Sequence, residues 1–440
     1  MFSTIHHTPH SQKKRTMANI YSKSYIASSA QVAANSHALF TKRFLPLLES
    51  LAATDEPTDV HDLNNAFAMD FMSAYQFGLR ASTNFTQDIA SRRKILHHYH
   101  CRRDYEFFSA EAPWLKHLTR KIGWDVVPYF VDEANLLLED WNADMCRAAD
   151  GYLARLNTLA SPFPGDEPVV YKQFKSGLTK MREKDPSAGK AVSEHVILPT
   201  SRHDELHKDG NDTTTAEIYS EMLDQVGAGH ETSAIALTYL YWEMSKNPSL
   251  QKQLREEVLT LTPAIKWPVP EDFDLENFRL PDPKQIDSLP LLNAIVMETL
   301  RLHAPIPGIE PRISPHVPGG STLGSYGGIP GGVRVSSMPY TLHRNESVFP
   351  EPEKFNPSRW LPSHTSEEHL KEMNRWFWAF GSGGRMCIGS HLATQEIKLL
   401  VSAIYSNWTT EIVDDEGIEE VDAYTTKPRS NRLILRFKHV

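Results

Sequence analysis

One short stretch, FGSGGRMCIGSHLATQEIKLL at residues 380–400, constrains this chain more than any other. It places Cys387 between glycines and an arginine, directly before a run with the composition of a helix. Glycines let a backbone turn tightly and approach a flat group without Cβ clashes. The N–H groups of a turn leading into a helix favour an anionic sulfur and lower its pKa. The stretch therefore predicts a metal-bound thiolate at Cys387, whereas burial as a structural residue, the usual fate of a lone cysteine, suits Cys101 and Cys146.

Composition excludes several classes of protein. The chain has 440 residues, of which 23 % are charged, and a net charge of −9, which gives no electrostatic case for nucleic-acid binding. Its three cysteines favour a reducing compartment over a disulfide scaffold. The polar start does not resemble a signal peptide, and no apolar run reaches the roughly 18 residues that a membrane span needs.

Hydrophobic periodicity predicts a mainly α fold with a small β part, in a single domain covering residues 1–440. The chain is rich in predicted helices from about residue 17 to residue 303. The β-rich part, which includes the Cys387 loop, lies at about 305–440. The longest helix should be buried, because its second half is apolar nearly all round. The predicted helices are Asp62–Gly78, Asp132–Leu156, about 215–246 and Leu289–His303, and the predicted strands lie near Val333–Met338 and Arg432–Phe437.

The Cys387 loop matches the pattern F-x-x-G-x-R-x-C-x-G through Phe380, Gly383, Arg385, Cys387 and Gly389. It resembles the haem-binding loop of the cytochrome P-450 superfamily, the haem-thiolate monooxygenases. The resemblance implies a cytochrome P-450 fold in which Cys387 ligates haem iron and Arg385 meets a haem propionate with its fork of donors.

Two further segments support the resemblance. Glu298 and Arg301 form an E-x-x-R pair on one helix, and Arg359 lies in a downstream FNPSRW segment. In the family such residues form a buried ion network, which is strongly destabilised when one member is removed. Arg312 matches a position where the family offers an arginine to the other propionate.

The central helix carries the third motif, AGHETS, at residues 228–233. Gly229 disfavours the helix locally, and Thr232 can bond back to a carbonyl four residues earlier and bulge it, which would open a groove for O₂. The resemblance implies that Thr232 steadies the oxygen and that Glu231 feeds a proton relay. By the same resemblance, the residues expected to face the substrate are Asp224 and Ala228 on this helix, Ile306 to Ile309, and Tyr424.

At its amino terminus the chain departs from the family pattern. Residues 11–26 resemble the family's C-helix, so the fold is expected to be N-terminally truncated, without the anchor, first strands and substrate-covering loop of eukaryotic members. His10 replaces the family's propionate-binding tryptophan, and Lys14 stands where an arginine is usual. Both side chains can donate to a carboxylate.

The function implied is a monooxygenase that oxidises a small hydrophobic substrate with O₂ and with electrons from an NADPH-cytochrome reductase. The branch resembles fungal benzoate hydroxylases, which favours secondary metabolism and the cytosolic face of the endoplasmic reticulum, although this anchorless chain would be soluble or peripheral. A basic patch would guide the reductase, and its residues are Lys13, Lys14, Arg15, Arg375 and Arg385. Two alternatives stay open: a haem-thiolate enzyme with other chemistry, and a truncated protein that is non-catalytic or inert.

Overall fold

Helices dominate the computed structural model of this protein, which describes residues 7–105, 108, 112–158, 160–185 and 213–440. Prolines open several of them at the first helical position, where a missing N–H costs nothing. The helices are α1 (His7–Met17), α2 (Lys23–Ser28), α3 (Ala30–Leu39), α4 (Leu45–Thr54), α5 (Val60–Phe77), α6 (Ile89–Cys101), α7 (Pro113–Lys121), α8 (Tyr129–Arg155), α9 (Val169–Lys184), α10 (Thr213–Ser245), α11 (Pro248–Val258), α12 (Pro283–Asp287), α13 (Pro290–Leu302), α14 (Pro339–His343), α15 (Glu367–Trp376) and α16 (Ser390–Asn407).

The chain forms two compact units. The first comprises Met1–Pro46 with Asn65–Glu231, and the second comprises Leu47–Asn64 with Thr232–Val440. In the first unit, Phe40, Phe44 and Phe67 pack with ring centroids 4.6–5.9 Å apart. In the second, a cluster around Phe349 and Trp360 fills the core beside α13. Each unit therefore has an apolar core of its own.

All the strands belong to the second unit. β1 (Thr58–Asp59), β7 (Ile434–His439) and β6 (Trp408–Asp414) form an antiparallel sheet in the order β1-β7-β6. Two smaller antiparallel pairs join β2 (Glu310–Ile313) to β5 (Arg334–Ser337), with Pro311 opposite Ser336, and β3 (Ser321–Leu323) to β4 (Tyr326–Ile329). Among the described residues, β5 pairs with β2 alone.

The predicted helices are confirmed to within a few residues at each end. The long helix of about 215–246 is α10, and side chains from Ala234 to Leu237 in its second half are wholly buried. The segment 11–26 differs, because it divides into α1 and α2. Ser22 caps α2 by accepting a hydrogen bond from the backbone N–H of Tyr25, and Ser22 itself lies in a turn. None of the helices in the described part of the chain combines the length and the apolar composition that crossing a bilayer requires.

A buried histidine clamp, formed by His303, Glu243 and Glu420, joins the end of α13 to α10 and to the C-terminal segment. His303 Nδ1 lies 2.6 Å from a Glu420 oxygen, and Nε2 lies 3.2 Å from a Glu243 oxygen. The ring stacks on Tyr239 at 4.6 Å, and Lys246 pairs with Glu243. Burial alone would lower the pKa of His303, but the two carboxylates outweigh burial and raise the pKa above its ordinary value.

The clamp predicts a pH-dependent contribution to stability. Because the folded protein raises the pKa of His303, its contribution is complete below the unfolded value of about 6.5 and is lost as pH rises through the folded value. His303→Gln should therefore reduce the free energy of unfolding by about 3 kcal/mol near pH 6. The loss should shrink towards alkaline pH. Urea unfolding of the full chain at several pH values measures it.

The control is His439→Gln, which alters an exposed histidine that lies 3.5 Å from Glu49 in the same unit. This variant should change stability by less than about 1 kcal/mol at every pH. A His303→Gln loss of the same size at pH 6 and at pH 9 would contradict the ionised clamp.

Candidate functional site

The loop that precedes α16 presents Cys387 at the surface of the second unit. Two backbone hydrogen bonds within the loop hold it. Gly381 N–H donates to the Trp378 carbonyl and Cys387 N–H donates to the Phe380 carbonyl, both at 2.8 Å. Gly383 has φ +70°, a conformation that favours glycine. The Cys387 side chain is exposed. The loop therefore combines an anchored backbone with an accessible sulfur.

The N-terminus of α16 lies next to this sulfur in the chain. Gly389 is the N-cap residue, and a Cβ at this position would stand 3.9 Å from Cys387 Sγ. The first residues of a helix carry a partial positive charge that stabilises a nearby anion. Gly389 thus leaves the space beside the sulfur free of side-chain atoms, and the following helix favours the thiolate.

Two arginines of this unit stand close enough for their charges to interact. Arg312 lies on β2 and donates to the Ser382 carbonyl at 3.0 Å, while Glu310 lies 3.4 Å from the same guanidinium. Burial, and then the charge of Arg312, lower the pKa of Arg385. Two guanidiniums whose charges interact favour a nearby anion, and Glu310 offsets part of the charge of Arg312.

Behind the loop, the carboxylate of Glu298 is completely buried and accepts hydrogen bonds from five groups. Arg301 donates to both oxygens at 2.8 Å. Arg359 Nε and the backbone N–H of Asn356 donate to one oxygen, at 3.0 and 2.9 Å, and Trp360 Nε1–H donates to the other at 2.9 Å. Glu298, Arg301 and Arg359 thus meet as the sequence predicts.

The same arginines also hold backbone carbonyls. Arg301 donates to the carbonyls of His343 and Pro352 at 2.9 and 2.8 Å, and Arg359 donates to that of Pro350 at 3.0 Å. Each guanidinium therefore shares its donors between a buried carboxylate and the irregular segment that precedes α15. The network ties α13 to the 350–360 segment.

On α10, in the first unit, Glu231 is engaged by two partners that the sequence did not predict. Its carboxylate forms a salt bridge with Arg103 and lies 3.3 Å from the Tyr99 hydroxyl. Glu231 is nearly buried, so this cation compensates a charge that would otherwise be costly. The neighbouring His230 is held neutral, because burial lowers its pKa to about 4.

One face of α10 is accessible although most of the helix is buried. Ala228 is exposed, and Asp224 and Thr232, one turn to either side, are half-buried. Side chains four residues apart share a helix face. The helix remains α-helical throughout residues 213–245, so the predicted bulge is absent from this stretch. A Cβ at Gly229 would lie 2.7 Å from Met72 Sδ, which means that this glycine permits close packing of α5.

The two predicted propionate donors near the amino terminus lie on α1 in the first unit. His10 is buried and Lys14 is half-buried. Lys13, which the sequence assigns to an exposed basic patch, is instead buried and pairs with Glu217 at 2.6 Å. That assignment of Lys13 is wrong, because the lysine faces inward to neutralise a glutamate of α10.

The family profile described as cytochrome P-450 matches residues 170–435. The chain belongs to the cytochrome P-450 family. A crystal structure of a cytochrome P-450 superimposes with a TM-score of 0.65 at 18 % identity, covering 97 % of this chain and 78 % of that one, which shows the shared fold.

Curated relatives of this cytochrome P-450 include three from Aspergillus species. The cytochrome P-450 monooxygenase tazI of Aspergillus terreus is 38 % identical over 228 residues, 50 % of this chain and 42 % of that protein. The monooxygenase hkm5 of Aspergillus hancockii is 29 % identical, over 70 % of this chain and 58 % of its own length. The monooxygenase avaI of Aspergillus versicolor is 25 % identical, over 89 % of this chain and 80 % of its own. The chain thus matches about two-fifths to three-fifths of the length of the first two.

The residues of this cytochrome P-450 fit the haem that its family implies. Cys387 offers an exposed sulfur on an anchored loop, and Arg312 and Arg385 form a cationic site in the same unit. A thiolate can ligate a haem iron, and guanidiniums can pair with its propionates. Phe380, Gly383 and Gly389 shape the loop, while the contributions of His10, Lys14 and Gly229 to haem binding stay predictions.

Three residues of the site were missed by the sequence analysis. Arg103 and Tyr99 hold Glu231 from positions 128 and 132 residues away, beyond the range of any local pattern. Trp360 belongs to the quoted FNPSRW segment, and an indole directly after an arginine of a buried network was a usable signal.

The Glu298 network predicts a large effect of removing its carboxylate. Glu298→Ala leaves two buried guanidiniums without their counter-charge, so the free energy of unfolding should fall by about 3–5 kcal/mol and little soluble protein should form. Urea unfolding and soluble yield measure the effect. The matched control is Glu367→Ala, which breaks an exposed pair with Lys371 and should change stability by less than about 1 kcal/mol. Wild-type stability in Glu298→Ala would contradict the network.

The Glu231–Arg103 pair predicts a recovery in a double variant. Arg103→Met leaves a nearly buried carboxylate without a cation and should destabilise the protein by about 3 kcal/mol. Adding Glu231→Gln removes the charge that needs compensation, so the double variant should regain most of that loss. Urea unfolding of the wild type, both single variants and the double variant completes the cycle. A double variant as unstable as Arg103→Met would show that the pair is not the source of the effect.

Proposed function

We propose that this chain is a haem-thiolate monooxygenase that inserts one atom of O₂ into a small apolar substrate, with electrons supplied by an NADPH-dependent reductase. The accessible Cys387 sulfur, on a loop anchored from behind, carries the proposal. Family membership and relatives named as monooxygenases support it. The fungal origin of those relatives favours a role in secondary metabolism.

The cofactor would be bound by residues of the second unit. Cys387 would ligate the haem iron, and Arg385 and Arg312 would each pair with a propionate, where bidentate hydrogen bonds orient a carboxylate as well as bind it. When bound, haem supplies the iron at which O₂ is activated. The Glu298 network would act at a distance, by keeping the segment before the loop in one position.

Protons would be handled by α10. Thr232 lies on the accessible face of the helix, where its hydroxyl can accept and donate a hydrogen bond, and Glu231 directly precedes it in the chain. The Arg103 pair and the Tyr99 hydroxyl would keep the Glu231 carboxylate in one position between turnovers. A proton delivered through Glu231 then requires that it exchange one of these partners for solvent.

The redox partner and location complete the proposal. A reductase would dock through exposed basic residues, of which Arg375 is largely exposed, although Lys13 takes no part. The site of action would be the surface of the endoplasmic reticulum. An amphipathic helix favours peripheral contact, because the exposed side of α7 and the residues after it carry apolar groups: Trp114, Leu118, Ile122 and Trp124.

The proposal predicts that Cys387 alone among the cysteines controls the spectrum of the haem-loaded protein. The reduced wild type with carbon monoxide should give the red-shifted Soret band of thiolate ligation, since a thiolate donates more strongly to iron than a neutral ligand does. Cys387→Ala should lose this band and all turnover of an apolar substrate with NADPH, reductase and O₂.

Cys101→Ala and Cys146→Ala are the matched controls and should keep the band. Cys146 is buried, and burial raises the pKa of its thiol, which disfavours the thiolate. A normal thiolate band in Cys387→Ala would overturn the proposal, and a normal band without substrate oxidation in the wild type would favour a non-catalytic haem protein.

A further inference from the structure

His343 is a buried histidine whose two ring nitrogens both have backbone partners. It ends α14, has no solvent exposure and belongs to the same unit as Cys387. Nδ1 lies 2.9 Å from the carbonyl oxygen of Arg301, and Nε2 lies 2.8 Å from the backbone nitrogen of Trp378. A carbonyl only accepts and an amide only donates, so Nδ1 carries the proton and Nε2 carries the lone pair.

The charge state of the ring agrees with this tautomer. Burial, assisted by the charges of Arg301 and Arg344, lowers the pKa of His343 to about 3, although its bond to the Arg301 carbonyl acts in the opposite direction. A protonated ring would carry N–H on both nitrogens and could not accept from Trp378. His343 is therefore a neutral bridge at any pH at which the enzyme would work.

The His343 bridge leads directly into the turn at residues 377–381, which precedes the Cys387 loop. The Trp378 carbonyl accepts from Gly381 N–H, and the Phe380 carbonyl accepts from Cys387 N–H, both at 2.8 Å. The imidazole also stacks on the ring of Phe377, with centroids 5.4 Å apart and planes 16° apart. Hydrogen bonds and ring packing thus connect the end of α13 to the backbone on either side of the turn.

We infer that His343 is a positioning residue for Cys387, because it holds the 377–381 turn at a set distance from α13. The inference rests on the proposed function, because it concerns what keeps the Cys387 sulfur directed at the haem. Its essential atom is Nε2, which receives the Trp378 N–H. Without that acceptor the turn would lose its connection to the Glu298 network and the sulfur would sample several directions.

Three substitutions of His343 distinguish the role of Nδ1 from that of Nε2. The side-chain oxygen of His343→Gln can reach the place of Nε2 and accept from Trp378, whereas the amide of His343→Asn reaches only the place of Nδ1. His343→Phe keeps the stack on Phe377 but offers neither group. We expect His343→Gln to resemble the wild type, and the other two to lose the thiolate band of the reduced carbon monoxide complex by about half or more at equal haem content.

Hydrogen exchange provides a readout that needs no turnover. In the full chain, the Trp378 and Cys387 amides should exchange about tenfold faster in His343→Asn and His343→Phe than in the wild type or His343→Gln, because local opening becomes easier. The control is His61→Phe. His61 is equally a buried histidine of this unit, but its Nδ1 lies 3.1 Å from the Thr238 hydroxyl, away from the loop. This variant should leave both amides and the band unchanged.

The outcomes separate this inference from the proposed function. Wild-type exchange and a wild-type band in His343→Phe would overturn the positioning role. Losses in His343→Gln and His343→Phe beside a wild-type His343→Asn would overturn it too, because they would point to the Arg301 bond. Absence of the thiolate band in the wild type would overturn the proposed function instead. In that case the exchange rates of the Trp378 amide still decide whether His343 holds the turn.

Discussion

The buried carboxylate of Glu298 is the interaction on which the second unit depends. It accepts five hydrogen bonds, from Arg301 on its own helix and from Asn356, Arg359 and Trp360 on a segment 58 to 62 residues further along. A buried charge is tolerated only when its partners are complete, so the geometry on both sides has little freedom. The irregular 350–360 segment, which has almost no regular secondary structure of its own, is ordered by this requirement.

The Cys387 loop is connected to that network through His343. Arg301 supplies the carbonyl that accepts from His343, and His343 in turn accepts the Trp378 N–H at the start of the turn before the loop. The sulfur itself lies at the surface, where it is accessible to a ligand. An exposed reactive group is thus positioned by buried polar groups that never touch it, which separates the chemical requirement for access from the structural requirement for rigidity.

The central helix α10 is mostly buried and yet presents an accessible face. Most of its side chains are buried, yet Ala228 and Thr232 lie on an accessible face, and Glu231 beside them is held by Arg103. Close packing of α5 against Gly229 is possible because no Cβ is present. A carboxylate in a buried helix needs a compensating cation, and the salt bridge with Arg103 supplies it.

Much of this could be predicted from the sequence because the signals are local. Apolar spacing located α10 and α13, since burial of one face or of all faces repeats with the helix period. The pattern around Cys387 identified the loop, and the Glu298–Arg301 and Arg359 segments identified the network, because each motif is contained in a few consecutive residues. Family membership followed from these motifs.

Only the tertiary structure decided which distant groups became partners. Lys13 faces inward towards Glu217, Glu231 meets Arg103, and His303 receives Glu420 from 117 residues away. Periodicity states which face of a helix is buried, but not which side chain lies opposite, because that depends on how separate elements pack. His343 is the clearest case: its role arises from two backbone groups, one carbonyl and one amide, and backbone groups leave no mark in an amino-acid sequence.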